Sequence, residues 1–241
     1  MKNALIPYVI ENESDGERSY DLYSRLLKDR IVMIQGEIDD ASMNVAVGEL
    51  LFLNSQNNEL PIYLYINSPG GSVMAGAQLV DCMNFISAPV YTIALGTAAS
   101  MAGVILSAGE KGHRYCMKSS QILVHAMSGG TGQGRTRDNI ISMNFEKKLE
   151  YYLIAMLASN CGKLSTEAKE EIEKVIGTLD IKNPDMTVKL SAKTKKEVDR
   201  FKETYDYDHW MFPQEALEFG IIDKILTSEK ELLYCSPFNL F

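Results

Sequence analysis

Short apolar runs rich in β-branched residues recur along the first two thirds of the chain. The four strand candidates are Ile31–Gln35, Ile62–Ile66, Val90–Leu95 and Gln121–His125. Helix candidates lie between them: one follows the cap-like stretch 39–42, one covers Val73–Ile86, and one begins after Ser100. Strands that alternate with helices in this way are typical of βαβ units. The chain is therefore predicted to be an α/β protein with a mainly parallel sheet.

Composition narrows the functions open to such a fold. With 241 residues, 46% of them hydrophobic, the chain can bury a substantial core, either as one α/β domain or as one domain with an insertion. The formal charge of −8 argues against a nucleic-acid surface. Neither a zinc site nor a disulfide framework is indicated, because the four cysteines lie far apart. With no bilayer-length apolar stretch and no signal-peptide core, we expect a cytoplasmic protein without membrane partners.

One serine stands where a buried strand would lead into a helix. The segment Gly96–Ala102 surrounds Ser100 with small residues, and apolar runs lie on either side. Small neighbours let the backbone bend sharply and hold the hydroxyl clear of the turn, while amides at a helix N-terminus stabilise a developing oxyanion. The segment suits a serine nucleophile, although an ordinary N-cap serine fits the same residues.

The chain holds three histidines, His113, His125 and His209. His113 lies in a charged turn and is expected to be a solvated loop residue. His209 follows an aspartate, where a structural pairing is expected. His125 ends the fourth strand candidate, so it can lie at the carboxyl edge of the sheet, where Ser100 also emerges. Paired with Ser100 it would be a general base, and taken alone it would be an ordinary core histidine.

A second strand end carries two adjacent glycines. The turn Asn67–Ser72 places Gly70 and Gly71 directly after the second strand candidate. Glycines at this point let backbone amides approach a ligand closely, as an oxyanion hole or a substrate-binding edge requires. A tight turn capped by Ser72 is the alternative. A phosphate loop fits less well, because no Gly-Lys-Ser/Thr follows.

The last third of the chain changes character. A Gly-rich loop, Ser128–Gly134, precedes a long helix candidate at about Asp138–Ser159, whose apolar stripe suits packing on the core or on a partner subunit. The stretch Lys163–Lys202 is rich in Lys, Glu and Thr, has one weak apolar patch at Val188–Leu190, and is predicted to be an inserted or partly mobile element. An ordered pattern returns at Trp210–Leu226.

These segments, taken in order, resemble the ClpP family, the proteolytic subunits of ATP-dependent Clp proteases. The matching segments cover most of the chain and are Leu5–Glu11, Asp21–Arg30, Tyr65–Val73, Ala98–Met101, Gly109–Gly112 and Glu215–Asp223. The resemblance implies a crotonase-like, ClpP-type fold in a single protease domain over residues 1–241. Within it, a handle region would cover about 128–160 and an inserted segment about 163–202.

The resemblance also implies a serine endopeptidase. By position, Ser100 matches the nucleophile and His125 the general base, and the amides of Gly71 and Met101 match the oxyanion hole. His125 would take the Ser100 proton, the hydroxyl would attack a peptide carbonyl, and water would later release the acyl-enzyme.

The third member of the triad departs from the family pattern. A gapless match places Thr204 where the family has an aspartate. We expect Asp206 to take its place, because residues two apart in an extended segment face the same side. The alternative is that no acid completes the triad. Thr204 then points to a catalytically weak or silent subunit of a mixed ring, whereas Ser100 and His125 favour the enzyme.

The family also implies partners for the chain. It forms two stacked heptameric rings around a closed chamber, and a hexameric AAA+ unfoldase delivers unfolded polypeptides, so that ATP is used by the partner and no cofactor is expected in this chain. Tyr63, Tyr65 and Phe85 match pockets that receive the ATPase, although alone they would be core or interface aromatics. The loop Gly129–Gly134 matches the edge that binds substrate by strand addition. A crotonase-like acyl-CoA enzyme is a further alternative, but it has no use for a Ser/His pair.

Overall fold

The computed structural model of the chain describes residues 5–13, 16–129, 134–178 and 190–233. In chain order its elements are β1 (Tyr8–Glu13), β2 (Gly16–Asp21), α1 (Leu22–Lys28), β3 (Ile31–Gln35), α2 (Asp40–Gln56), β4 (Ile62–Ser68), α3 (Val73–Phe85), β5 (Val90–Ala99), α4 (Met101–Ser107), β6 (Arg114–Met117), β7 (Gln121–Val124), α5 (Thr136–Asn160), α6 (Thr166–Thr178), α7 (Ala192–Tyr205), β8 (His209–Met211), α8 (Pro213–Phe219), β9 (Lys224–Leu226) and α9 (Glu229–Leu233).

The chain forms two compact units. The first consists of Met1–Ile122 together with Met211–Phe241, and the second of Leu123–Trp210. Within the described ranges, no helix combines the length and the apolar character needed to cross a bilayer.

A parallel sheet organises the first unit. Its strands lie in the order β3-β4-β5-β6-β9, and every neighbouring pair runs parallel. The α/β class with a mainly parallel sheet, predicted from the alternation of apolar runs, is confirmed. β1 and β2 pair only with each other, as an antiparallel hairpin.

The central strands bury residues on both faces of this sheet. Ile62, Leu64 and Ile66 of β4 are fully buried. Helix α2 packs on β3, α4 packs on β4 and β5, and α3 packs on both helices. Because successive side chains of a strand point to opposite faces, Tyr63 lies on the other side. The cluster on that side consists of Tyr63, Tyr91, Ile93, Tyr115, Leu226 and Leu232.

Helices dominate the second unit. The long helix predicted at about Asp138–Ser159 is confirmed as α5, of 25 residues. Helices α6 and α7 pack on α5 and on each other. The stretch Lys163–Lys202, predicted to be inserted or partly mobile, thus contains two packed helices in its described part. The apolar patch Val188–Leu190 and the Gly-rich loop fall mostly outside the described residues.

Candidate active site

Ser100 lies between β5 and α4 in an unusual backbone conformation. Its φ is 57° and its ψ is −124°, a left-handed φ that among the described non-glycine residues only Arg30 shares. Such a backbone is strained, and it persists only where the surrounding structure holds it. The Ser100 side chain makes no capping hydrogen bond to α4, so the N-cap explanation of this serine is wrong. A strained turn that exposes a serine is the arrangement of a nucleophile elbow.

A β-bulge leads the chain into this turn. Ile66 pairs with Ala94, but Ser68 pairs with Ala98, so β5 carries extra residues at the end of its pairing with β4. Gly96, in the extra stretch, has a φ of 91°. Bulges bend a strand and re-aim the residues that come after the bend. The bend therefore sets the direction in which β5 delivers Ser100.

Asn67 holds the bulge in place, a role that its position at the start of the Asn67–Ser72 turn did not predict. Its side-chain oxygen Oδ1 accepts a hydrogen bond of 3.1 Å from the amide of Thr97. A Cβ added to Gly96 would lie 2.8 Å from the same oxygen, so only glycine fits there. The only signal for its role in the sequence was its place just after the second strand candidate, three residues before Gly70.

Gly70, the first of the two glycines of the Asn67–Ser72 turn, lies beside Ser100. A Cβ added to Gly70 would lie 2.6 Å from both the carbonyl oxygen of Ala99 and the Cβ of Ser100, and 3.1 Å from the amide nitrogen of Met101. Gly70 also has a left-handed φ, of 95°. A side chain at this position would displace the serine, so glycine is required by the close approach as well as by the backbone.

Gly71 forms a parallel bridge with Ile38. The two hydrogen bonds of this bridge involve the residues on either side of Gly71. The amide of Ile38 donates to the carbonyl of Gly70 at 2.9 Å, and the amide of Ser72 donates to the carbonyl of Ile38 at 2.8 Å. Because amides alternate in direction along an extended segment, the Gly71 N–H points away from Ile38. The Met101 N–H is the first of α4 and has no partner within its helix. Both amides have the orientation or position expected of oxyanion-hole donors.

His125 and Asp208 are in contact within the second unit. The distance from His125 Nδ1 to Asp208 Oδ1 is 3.3 Å, and the exposed fractions of the two side chains are 23% and 66%. His125 follows the last residue of β7, and Asp208 precedes the first residue of β8. Because β7 and β8 pair, the two residues at their ends come together.

The carboxylate at His125 thus belongs to Asp208, and Asp206, expected in that role, lies elsewhere. Asp206 is exposed, caps the C-terminus of α7 with helical backbone angles of −65° and −18°, and donates its amide to the carbonyl of Lys202. The expectation assumed an extended segment, whereas the backbone stays helical through Asp206. Thr204 lies inside α7. A carboxylate therefore does lie beside His125, although it belongs to neither of the two residues considered from the sequence.

His113 differs from its expected place as a solvated loop residue. Its side chain is half-buried and stacks on Tyr91 with ring centroids 3.9 Å apart and planes 3° from parallel. Its Nδ1 lies 2.9 Å from the hydroxyl of Tyr115. Burial lowers the pKa of His113 below its ordinary value, against the smaller opposing effect of the Glu110 and Asp223 carboxylates. These contacts place it in the tyrosine-rich side of the core.

The three aromatics matched to docking pockets lie in different environments. Tyr63 is 5% exposed and belongs to the core cluster, whereas Phe85 is 83% exposed. Tyr65 is half-buried and packs against the same cluster as Tyr63.

Comparison with known proteins identifies the family. The family model described as Clp protease matches residues 14–178 and 166–229. The chain belongs to the Clp protease family. Proteins named ATP-dependent Clp protease proteolytic subunit from Streptococcus pyogenes and Streptococcus thermophilus are 40% and 42% identical to it over 227 residues, covering 94% of this chain and 99% of each relative. Like other members of the Clp protease family, it is a peptidase, a hydrolase of peptide bonds.

Proposed function

We propose that this chain is the proteolytic subunit of an ATP-dependent Clp protease and that it cleaves peptide bonds as a serine endopeptidase. The observation that carries the proposal is the backbone of Ser100, strained at a strand-to-helix turn where its side chain makes no capping hydrogen bond. Strain of this kind is retained where it serves a site. The name of the relatives supports the dependence on ATP.

In the proposed reaction, His125 accepts the Ser100 proton while the Ser100 oxygen attacks the peptide carbonyl. The N–H groups of Gly71 and Met101 donate to the resulting oxyanion. His125 then gives its proton to the departing amine, which leaves an acyl-enzyme on Ser100. Water, deprotonated by His125, attacks the acyl carbon, and the returning proton restores the serine.

Asp208 has a positioning role in this scheme. A carboxylate that accepts from Nδ1–H fixes the histidine tautomer, so that Nε2 is the nitrogen that takes the serine proton. It also stabilises the imidazolium that forms during the attack. The 3.3 Å contact between Asp208 and His125 supports this assignment.

We further propose the assembly that the family resemblance implies: two stacked heptameric rings fed by a hexameric AAA+ unfoldase that spends the ATP. The handle helix α5 supports contacts between subunits, because its N-terminal half exposes four large apolar side chains. They are Ile140, Ile141, Met143 and Phe145, each 37–46% exposed. Phe85 supplies a further exposed aromatic for a partner. Exposed apolar patches of this kind commonly mark protein interfaces.

The test is covalent labelling of Ser100. Assembled protein is treated with a fluorophosphonate probe, and a short fluorogenic peptide is assayed in parallel, with Ser100→Ala as the control. We expect labelling and cleavage in the wild-type protein and neither in Ser100→Ala. Correctly assembled rings that neither label at Ser100 nor cleave the peptide would refute the serine mechanism.

A further inference from the structure

The two helices that follow the handle helix are copies of one sequence motif. Residues 164–174 and 190–200 align without gaps at an offset of 26, with four of 11 positions identical and three more conservatively replaced. The identical pairs are Leu164 and Leu190, Ser165 and Ser191, Lys169 and Lys195, and Glu171 and Glu197. The conservative pairs are Ile172 and Val198, Glu173 and Asp199, and Lys174 and Arg200. The first copy begins α6 and the second begins α7.

The contacts between the two helices repeat the same symmetry. Glu197 of α7 accepts from the amide of Ser165 at 2.9 Å and from its hydroxyl at 3.0 Å. In return, Glu171 of α6 accepts from the amide of Ser191 and, at 2.8 Å, from its hydroxyl. Each glutamate therefore holds the serine that begins the other helix. Reciprocal contacts between equivalent residues are the mark of a two-fold relation.

A third contact lies on the axis of this relation. Glu167 and Lys193 occupy equivalent positions in the two copies, and their side chains form an ion pair of 3.6 Å with each other. The equivalent apolar residues Ile172 and Val198 are both 1% exposed. The hairpin of α6 and α7 is thus a duplicated element that closes on itself through its own polar and apolar residues.

The second copy leads directly to the acid of the triad. Helix α7 ends at Tyr205, three residues before Asp208. Two observations show that its last turns are packed: Phe201 is 5% exposed, and Lys202 forms an ion pair of 4.0 Å with Glu150 of α5. The Asp208 side chain itself is 66% exposed, so little packing holds it directly.

We propose that the duplicated hairpin positions the triad acid. Helix α7 holds Asp208 at His125, and Phe201 is the positioning residue that fixes the C-terminal end of α7. The proposal rests on the proposed serine mechanism. The competing explanation is that pairing of β8 with β7 is enough to place Asp208. Strand β8 has only three residues, however, and the chain entering it is fixed by the end of α7.

A double-mutant cycle separates the two explanations. The variants are Phe201→Ala, Asp208→Asn and their combination, with kcat and KM for a fluorogenic peptide measured on assembled protein. Misplacing a catalytic group by about 1 Å costs on the order of 10²-fold in rate. We expect Phe201→Ala to lower kcat by roughly 10- to 100-fold with KM little changed. In the Asp208→Asn background we expect Phe201→Ala to lower kcat almost no further, because Phe201 acts through Asp208.

Matched variants control for a general loss of stability. Ile172→Ala truncates an equally buried residue of α6, the copy that does not lead to Asp208. It is expected to lower the melting temperature as Phe201→Ala does but to change kcat much less. Phe201→Leu retains most of the buried volume and should restore most of kcat. If Phe201→Ala fails to assemble, Lys202→Gln takes its place in the same cycle.

Each outcome decides between the explanations. The proposal that α7 positions Asp208 would be overturned if Phe201→Ala lowered kcat equally in the wild-type and Asp208→Asn backgrounds. It would also be overturned if Ile172→Ala and Phe201→Ala lowered kcat equally. An unchanged kcat in folded Phe201→Ala and Phe201→Leu would also overturn it, in favour of strand pairing alone. Failure of the serine mechanism is recognised separately, because Ser100→Ala would then keep its activity whatever the Phe201 variants do.

Discussion

Asp208 Oδ1 lies 3.3 Å from His125 Nδ1, whereas Asp206, two residues earlier, caps the C-terminus of a helix. The two aspartates are close in the sequence, but only Asp208 stands directly before a strand that pairs with β7, the strand that ends just before His125. The transition from helix to strand between residues 206 and 208 therefore decides which carboxylate faces the imidazole.

The two aspartates should respond differently to the same substitution. We expect Asp208→Asn to lower kcat by about 10⁴-fold, as loss of the triad aspartate does in serine proteases, because the amide favours the wrong histidine tautomer. Asp206→Asn changes an exposed helix cap and should leave kcat within about threefold. Steady-state turnover of a fluorogenic peptide measures both. A large loss in Asp206→Asn with a normal Asp208→Asn would reverse the assignment.

Gly70 and Gly112 form a matched pair for testing the close approach to Ser100. Both have a left-handed φ, of 95° and 89°, so alanine costs about 1–2 kcal/mol at either position. A Cβ on Gly112 would meet nothing within 4 Å, whereas one on Gly70 would lie 2.6 Å from Ser100 Cβ. We expect Gly70→Ala to slow labelling of Ser100 by on the order of 10²-fold. Gly112→Ala should label normally, and equal labelling of the two variants would show that Gly70 does not shape the site.

The strain at Ser100 should be visible in the free energy of unfolding. In ordinary helices and strands, glycine is about 0.5–1 kcal/mol less stable than alanine. At a φ of 57°, alanine pays about 1–2 kcal/mol that glycine does not. We therefore expect Ser100→Gly to be at least as stable as Ser100→Ala in urea denaturation. If Ser100→Ala were instead more stable than Ser100→Gly by the usual 0.5–1 kcal/mol or so, the turn would carry no strain.

His113 should make stability depend on pH. Burial lowers its pKa in the folded state below the ordinary value of 6.5, so the unfolded chain takes up a proton first as the pH falls. The free energy of unfolding should consequently decrease as the pH falls from about 6.5 through the folded-state pKa of His113. Urea denaturation of the wild type and His113→Gln at pH 7.5 and 5.5 measures this contribution. Between pH 7.5 and 5.5 the free energy of unfolding should decrease less in His113→Gln than in the control His209→Gln. Equal decreases in the two variants would contradict the role given to His113.

Much of the first unit could be predicted from the sequence, because its strands are continuous apolar runs. Strand β3 has the predicted bounds, and α3 differs from its prediction by one residue. Strand β6 was missed because it begins with a charged residue, Arg114. That arginine is 1% exposed and is neutralised by Asp223, at 2.7 Å from Nη2 to Oδ1, a partner more than 100 residues away. The sequence around Arg114 gives no sign of so distant a partner, so the burial of this arginine could not be predicted from it.

The nucleophile region was predictable for a different reason from the acid. The residues around Ser100 and Gly70 are small because backbone must come close to backbone, and small residues are visible in a sequence. The acid depends on where α7 ends, and nothing between Thr204 and Asp208 distinguishes a helix cap from an extended segment. Asp208 could have been favoured only by its place directly before β8, whose last two residues, Trp210 and Met211, are apolar.

The reciprocal capping of α6 and α7 makes the segment just before Asp208 largely self-sufficient. The serine that begins each helix is held by a glutamate of the other. The serines that begin the two helices therefore find their partners only 20 to 32 positions away in the chain. Because each helix supplies the partner for the other, the pair carries its own stabilising contacts into the residues just before Asp208.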